Sequence, residues 1–214
     1  MAVETLEKLK TAVLEYDGEQ ASDLARKVLE EDIDPIEAID ALTEAIRLVG
    51  DGFGRGELWL PELVGAASAM KSAMPILEDA IQREGKKREA VGTVVIGTVF
   101  GDIHDIGKNM VSTLLTADGF IVHDLGINIA AEEFVQAIKR YKPDILAMSA
   151  LLTTTSYEQM NVIAKLKSEG LRDQVRIMVG GGAITQVFAD TIGADGYNPT
   201  APGAARLARR LIGK

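Results

Sequence analysis

One imidazole stands between two carboxylates in Gly101-Asp102-Ile103-His104-Asp105-Ile106-Gly107-Lys108-Asn109. An imidazole two residues from a carboxylate can donate one ring N–H to it. That contact fixes the tautomer and makes the other nitrogen a stronger base or metal ligand. A hydroxyl could extend the relay, and Thr155 is the natural candidate. Two further stretches have unusual chemistry. Ser149-Ala150-Leu151-Leu152-Thr153-Thr154-Thr155-Ser156 supplies a row of small hydrogen-bonding groups, and Gly180-Gly181-Gly182-Ala183 offers backbone that a flat ligand can approach closely. The other histidine, His123, reads as structural or surface.

These stretches need elements to bring them together. Val91–Phe100 is an apolar run of the kind that forms a buried parallel strand, and helical spacing of apolar residues follows from Gly107. Strands and helices alternate beyond that point: strand 91–99, helix 107–117, strand 120–124, helix 131–141, strand 144–149, helix 156–168, strand 175–179, helix 184–192, a short strand near 195–197, and helix 201–212. This pattern predicts an α/β domain with a Rossmann-like (flavodoxin-like) five-stranded parallel sheet. With strand order 2-1-3-4-5 the switch point falls between the first and third strands, so the first and third loops should both carry chemistry.

Residues 4–84 read as helical throughout, with apolar stripes Leu6-Leu9-Val13-Leu14 and Leu24-Val28-Leu29. A third stripe, from Ile36 to Val49, follows Pro35. Gly50–Leu60 is too glycine-rich to remain helical, and Pro61 opens a fourth helix. The N-terminal part is therefore expected to be a four-helix bundle over 1–86, joined through the charged hinge Gly85-Lys86-Lys87-Arg88-Glu89 to a second domain over 90–214.

Composition narrows the function classes. A net charge of −9 without a basic cluster argues against nucleic acid. No apolar run approaches the roughly 18–20 residues that span a bilayer, and the N-terminus has no apolar signal segment, so no membrane partner and a cytoplasmic location are expected. Without cysteine there are no disulfides, thiolate metal sites or cysteine nucleophiles. Other readings of the loop remain open. A phosphate loop would need one residue fewer between Gly101 and Gly107 and Ser or Thr in place of Asn109, and Asp102 and Asp105 would repel the phosphate. A simple metal site on His104 and the aspartates would leave the glycine floor without a purpose. In the plainest reading Asp102 caps the helix and His104 is only a loop residue.

The elements Asp102-x-His104-x-x-Gly107, Ser149-x-Leu151 and Gly180-Gly181 together resemble the cobalamin-binding signature of methionine synthase and the corrinoid proteins of the methanol, methylamine and betaine methyltransferase systems. Gly182 and Ala183 stand where relatives often have alanine and proline. The resemblance implies cobalamin or a related corrinoid bound base-off/His-on, with His104 as lower ligand of cobalt and Asp102 as its partner. Ile103, Asp105, Ile106 and Gly107 would belong to the same cofactor-binding motif, with Thr155 as the relay hydroxyl. It further implies that Ser149, Leu151 and Thr153 line the slot for the displaced dimethylbenzimidazole tail, and that Gly180 and Gly181 let that tail pass.

Val49-Gly50-Asp51-x-Phe53, Gly56-Glu57-Leu58-Trp59-Leu60-Pro61-Glu62-Leu63 and Ala66-Ala67-x-Ala69-Met70 resemble the helical cap of the same proteins. The resemblance makes Phe53, Trp59, Met70 and Met74 candidates for an apolar lid over the upper corrin face, with bundle core as the alternative. Cap plus corrinoid domain uses the whole chain and leaves no barrel for a methyl donor. The protein therefore resembles a shuttle subunit of one-carbon metabolism. By resemblance, cobalt(I) accepts a methyl group from a methylamine, betaine, methanol or aryl methyl ether held by a substrate-specific methyltransferase. A second methyltransferase then passes it to tetrahydrofolate or a thiol coenzyme, and a reductive activation protein recovers oxidised cofactor. A cobalamin-dependent sensor or regulatory module is the alternative, although the chain has no room for a DNA-binding or signalling domain; a cobalamin mutase component is a weaker one.

Overall fold

The computed structural model describes residues 2–85 and 90–214. All of the expected hinge but Gly85 lies outside the described residues. The chain divides into two compact units, Met1–Glu89 and Ala90–Lys214.

The first unit contains Ala2–Leu14 (α1), Gly18–Glu30 (α2), Pro35–Gly54 (α3) and Leu60–Arg83 (α4). Side chains that satisfy otherwise unpaired backbone donors set the helix starts. Asp17 accepts from Gln20 N at 2.9 Å, Asp34 accepts from Ile36 N at 3.0 Å, and Glu62 reaches back to Trp59 N at 3.0 Å. Leu9, Val13, Ile39, Leu42, Ile46, Leu63 and Leu77 are fully buried or nearly so and form a core, whereas Leu14 of the first stripe is exposed and Leu6, Leu24 and Leu29 are half-buried. One expectation is corrected here. The glycine-rich stretch does not end the helix at Gly50, because α3 runs on to Gly54. Gly50 and Gly52 are buried, and a Cβ on Gly52 would stand 2.9 Å from Leu58 Cδ1. The bare helix face is the seat for the Leu58 side chain, and this packing outweighs the low helical propensity of glycine.

The second unit runs Thr93–Thr98 (β1), Ile106–Ala117 (α5), Ile121–Asp124 (β2), Ala131–Tyr141 (α6), Ile145–Ser149 (β3), Thr153–Ser168 (α7), Arg176–Gly180 (β4), Gln186–Ile192 (α8), Gly196–Tyr197 (β5) and Ala201–Leu211 (α9). The strands form one five-stranded parallel sheet in the order β2-β1-β3-β4-β5, as expected. Val95, Leu146, Met148, Ile177 and Val179 face a core with Phe134, Val135 and Ile138 of α6, Val162, Ile163 and Leu166 of α7, and Ala189 and Ile192 of α8. Strands buried on both faces explain the unbroken apolar runs. A second correction concerns the hydroxyl row: Thr153–Ser156 is the first turn of α7 rather than loop, so the helix begins three residues earlier than its apolar pattern does. Of its opening residues, Thr153 and Thr154 are exposed, while Thr155 and Ser156 are buried with their hydroxyls hydrogen-bonded.

Candidate functional site

The registers place Thr98, Ser149 and Gly180 in one row across β1, β3 and β4. The three unusual stretches therefore leave the sheet side by side, on the carboxyl side of the strands next to the switch point.

Asp102 is fully buried, and both its oxygens are occupied. Oδ1 accepts from His104 Nδ1 at 2.7 Å and from His104 N at 3.0 Å. Oδ2 accepts from Thr155 Oγ1 at 2.6 Å and from Leu151 N at 2.8 Å, with Leu152 N at 3.4 Å. Burial pushes this carboxyl up. The hydrogen bonds from Thr155, from the backbone and ring of His104 and from Leu151 outweigh it and hold the group well below the usual carboxylate range. An ionised carboxylate can only accept, so Nδ1 of His104 carries a proton, and in the neutral ring Nε2 holds the lone pair. The His104 side chain is 47% exposed while its partner is sealed. The first loop thus presents one basic nitrogen in a fixed orientation.

The plainest reading of this loop is ruled out: α5 starts at Ile106 with Asp105 at its N-cap, and Asp102 is spent on His104, Leu151 and Thr155. The phosphate-loop reading also fails. Asp102 N donates to Val99 O, Gly101 N to Asn128 Oδ1 and His104 N to Asp102, so these loop amides are not free for an anion. Lys108 is turned away and buried against Asp124. Among the described residues, no group of three His, Asp or Glu side chains is placed to hold a metal ion. His104 could ligate only a metal that other donors already hold.

The surroundings of His104 suit a broad apolar ligand. Ile103 and Ile106 are 69% and 68% exposed, and Leu151 and Leu152 are exposed beside them. Ile103 and Ile106 flank His104 in the chain and the backbone N–H groups of Leu151 and Leu152 meet Asp102; four exposed aliphatic residues converging on this loop favour a binding surface. Nothing lies within 4 Å of the position a Cβ on Gly180 would take, whereas a Cβ on Gly181 would stand 1.9 Å from Ala150 O at a φ of +120°. Gly180 therefore leaves open floor, and Gly181 lets two backbones touch.

The structure gathers Asp102, His104, Leu151 and Thr155 into one hydrogen-bonded cluster. Ser149 is half-buried and Thr153 exposed, and neither side chain bonds to Asp102. Asp105 accepts from Asn109 Nδ2 at 3.0 Å, and Gly107 is exposed in the first turn of α5. In the helical unit Trp59 is 73% exposed, Phe53 is half-buried and Met70 is buried. His123 stacks on Tyr141 with ring centroids 3.9 Å apart, in keeping with its structural reading.

Two contributors are not evident from the sequence. Asn128 has a φ of 57°, donates its backbone N–H to Asp102 O at 3.0 Å and accepts from Gly101 N through its side chain at 2.8 Å. Gly126-x-Asn128 was its only signal, since Asn tolerates the left-handed region better than most residues. Gln159, fully buried, donates to Met148 O at 3.1 Å and Gly180 O at 3.2 Å, joining the ends of β3 and β4 where they part.

Residues 92–206 match a family model described as the B12 binding domain, and residues 5–78 match a second model with the same description. A corrinoid protein of Desulfitobacterium hafniense strain Y51 is 42% identical over 216 residues, covering all of both chains. The trimethylamine corrinoid protein of Methanosarcina barkeri is 42% identical over 210 residues, 98% of this chain and 97% of its own. Among solved structures, the methanol:cobalamin methyltransferase complex of Methanosarcina barkeri contains a chain that superposes with a TM-score of 0.89 at 32% identity, covering 98% of this chain and 80% of that one.

Proposed function

The chain belongs to the family of B12-binding corrinoid proteins, and from that premise we propose that it is the corrinoid methyl-carrier subunit of a multi-component methyltransferase system. It binds a corrinoid and works with a methyltransferase partner. The relatives named for trimethylamine and methanol support a donor drawn from small methylated compounds. The relatives named above give no support to the sensor alternative.

The observation that carries this reading is the buried Asp102 carboxylate, which fixes His104 with Nε2 facing outward among exposed aliphatic side chains. A bound corrin would supply the cobalt on which a methyl group is accepted and released. His104 Nε2 would be the protein ligand of cobalt in a base-off/His-on arrangement, with Asp102 and Thr155 holding the ring's orientation and basicity. Ser149, Leu151 and Thr153 would line the slot for the cofactor's nucleotide tail, and Gly180 and Gly181 would form its bare floor. Ile103, Asp105, Ile106 and Gly107 would complete the surface facing the ring.

Phe53, Trp59 and Met70 of the helical unit would be further contact candidates for the cofactor. The protein's partners would be a substrate-specific methyltransferase, a second one that passes the methyl group to tetrahydrofolate or a thiol coenzyme, and a reductive activation protein. None of the described helices is long and apolar enough to cross a membrane, and one-carbon metabolism in the cytoplasm is the setting we assign.

Anaerobic reconstitution of the apo-protein with hydroxocobalamin, beside His104→Ala, tests this. Stoichiometric uptake with a histidine-ligated spectrum that is lost in the variant is the expected result. Uptake with an unchanged variant spectrum removes His104 as ligand, and no uptake by folded protein ends the corrinoid reading.

A further inference from the structure

Lys108 is a buried charged residue that the proposed chemistry does not use. It lies in the first turn of α5, its side chain is 2% exposed, and its ammonium donates to Asp124 Oδ2 at 2.5 Å and to Asn109 Oδ1 at 2.8 Å. A cation is buried only where it is paired, and such a pair seldom stabilises a fold more than apolar side chains of the same volume would. Packing α5 on the sheet does not require it. Its geometry gives it another role.

Asp124 closes β2 and opens the connection to α6. Its Oδ1 accepts from Gly126 N at 2.8 Å, and Gly126 O accepts from Thr98 N at 3.0 Å. Further along the same connection, Asn128 holds Asp102 O and Gly101 N. Thr98 Oγ1 donates to His104 O at 3.1 Å. On the helix side, Asn109 Nδ2 donates to Asp105 Oδ2 at 3.0 Å. These bonds form a closed ring that includes the backbone of the His104 loop: strand end, Asp102–His104 loop, α5, Lys108, Asp124, and back through Asn128 to Gly101 and Asp102. The ion pair is the one side-chain charge contact in that ring that joins α5 to the connection after β2.

We propose that Lys108 and Asp124 are positioning residues for His104, locking the connection after β2 onto α5 so that the Asp102–His104 loop is held where Nε2 can reach the metal. The inference rests on the assignment of His104 as the ligand, and the test separates the two. Full-length protein labelled with [15N]histidine is reconstituted with hydroxocobalamin and reduced to cobalt(II). The nitrogen splitting in the electron paramagnetic resonance spectrum then identifies an imidazole of the protein, because 15N gives doublets where 14N of the cofactor's own base gives triplets.

Wild type is compared with Lys108→Met, Asp124→Asn, the double variant Lys108→Met/Asp124→Leu, and His104→Ala. The double variant leaves no unpaired buried charge, so it tests the clamp apart from folding; if it does not fold, Asp124→Asn, close in shape to the native residue, gives the same readout. Cobalamin uptake is expected to persist while the ratio of histidine-ligated to unligated cobalt(II), read from the doublets, falls about tenfold, the lower end of the loss that follows when a metal-bound histidine loses its orientation. A doublet fraction equal to wild type, with or without a change in thermal stability, overturns the positioning role and leaves the His104 assignment standing. A wild-type spectrum without doublets, or one that His104→Ala leaves unchanged, overturns the ligand assignment and the positioning role with it.

Discussion

Asp102 keeps its charge in a site sealed from water because every lone pair that faces the protein meets a donor. Removing one donor should therefore cost more than an ordinary hydrogen bond. Thr155→Val deletes the 2.6 Å bond to Oδ2 while keeping the volume, and should destabilise the protein by about 1–3 kcal/mol in urea unfolding, whereas Thr155→Ser should lose less than about 1 kcal/mol. The two floor glycines should separate folding from binding. Gly181→Ala sets a methyl against Ala150 O at a backbone angle that L-residues avoid, and should cost roughly 3 kcal/mol or more of stability. Gly180→Ala meets no atom within 4 Å. It should unfold within about 0.5 kcal/mol of wild type while weakening cobalamin uptake, measured by equilibrium titration. Equal effects at both positions would mean that the open space above Gly180 is not where the ligand lies.

At the scale of elements, the edge strand β2 is joined to α6 by the stacked rings of His123 and Tyr141. Burial lowers the His123 pKa from its ordinary 6.5, and the Arg140 cation lowers it further. A depressed histidine means that the unfolded chain binds the proton more readily, so this contribution is intact above pH 6.5 and is lost as pH falls below it. His123→Phe keeps a ring for stacking and should flatten the acid-side decline in urea midpoints between about pH 7 and 5; an unchanged slope would assign the decline elsewhere. The sheet order and the adjacency of three loops were legible because strands buried on both faces leave long apolar runs, and because parallel topology leaves few choices. The relay from Thr155 to Asp102 was legible for the same reason: the strand order predicted two loops side by side. The course of α3 through Gly50 and Gly52 was not, since it depends on where Leu58 packs from beyond the helix. Asn128 and Gln159 were hidden too, because each acts on backbone groups distant in sequence, and a side chain's type does not reveal which carbonyl it will meet.

At the scale of the molecule, the sheet unit carries its own core and every residue of the proposed lower-ligand site, from Asp102 to Gly181. A unit with a continuous core on one face of its sheet and helices on both has what independent folding requires. Residues 90–214 expressed alone should therefore unfold in one cooperative transition, with a stability of roughly 5–15 kcal/mol by urea denaturation. If His104 and the slot alone anchor the cofactor, this fragment should take up hydroxocobalamin stoichiometrically and show the same histidine-ligated spectrum as the full chain. What it should lose is retention: if Phe53, Trp59 and Met70 contact the cofactor as proposed, its release into a cobalamin-binding competitor should be faster from the fragment than from the full chain. A fragment that folds but takes up no cobalamin would make the helical unit part of the primary site rather than a further contact. Release at the rate of the full chain would instead leave Trp59 and its neighbours with no role in holding the cofactor.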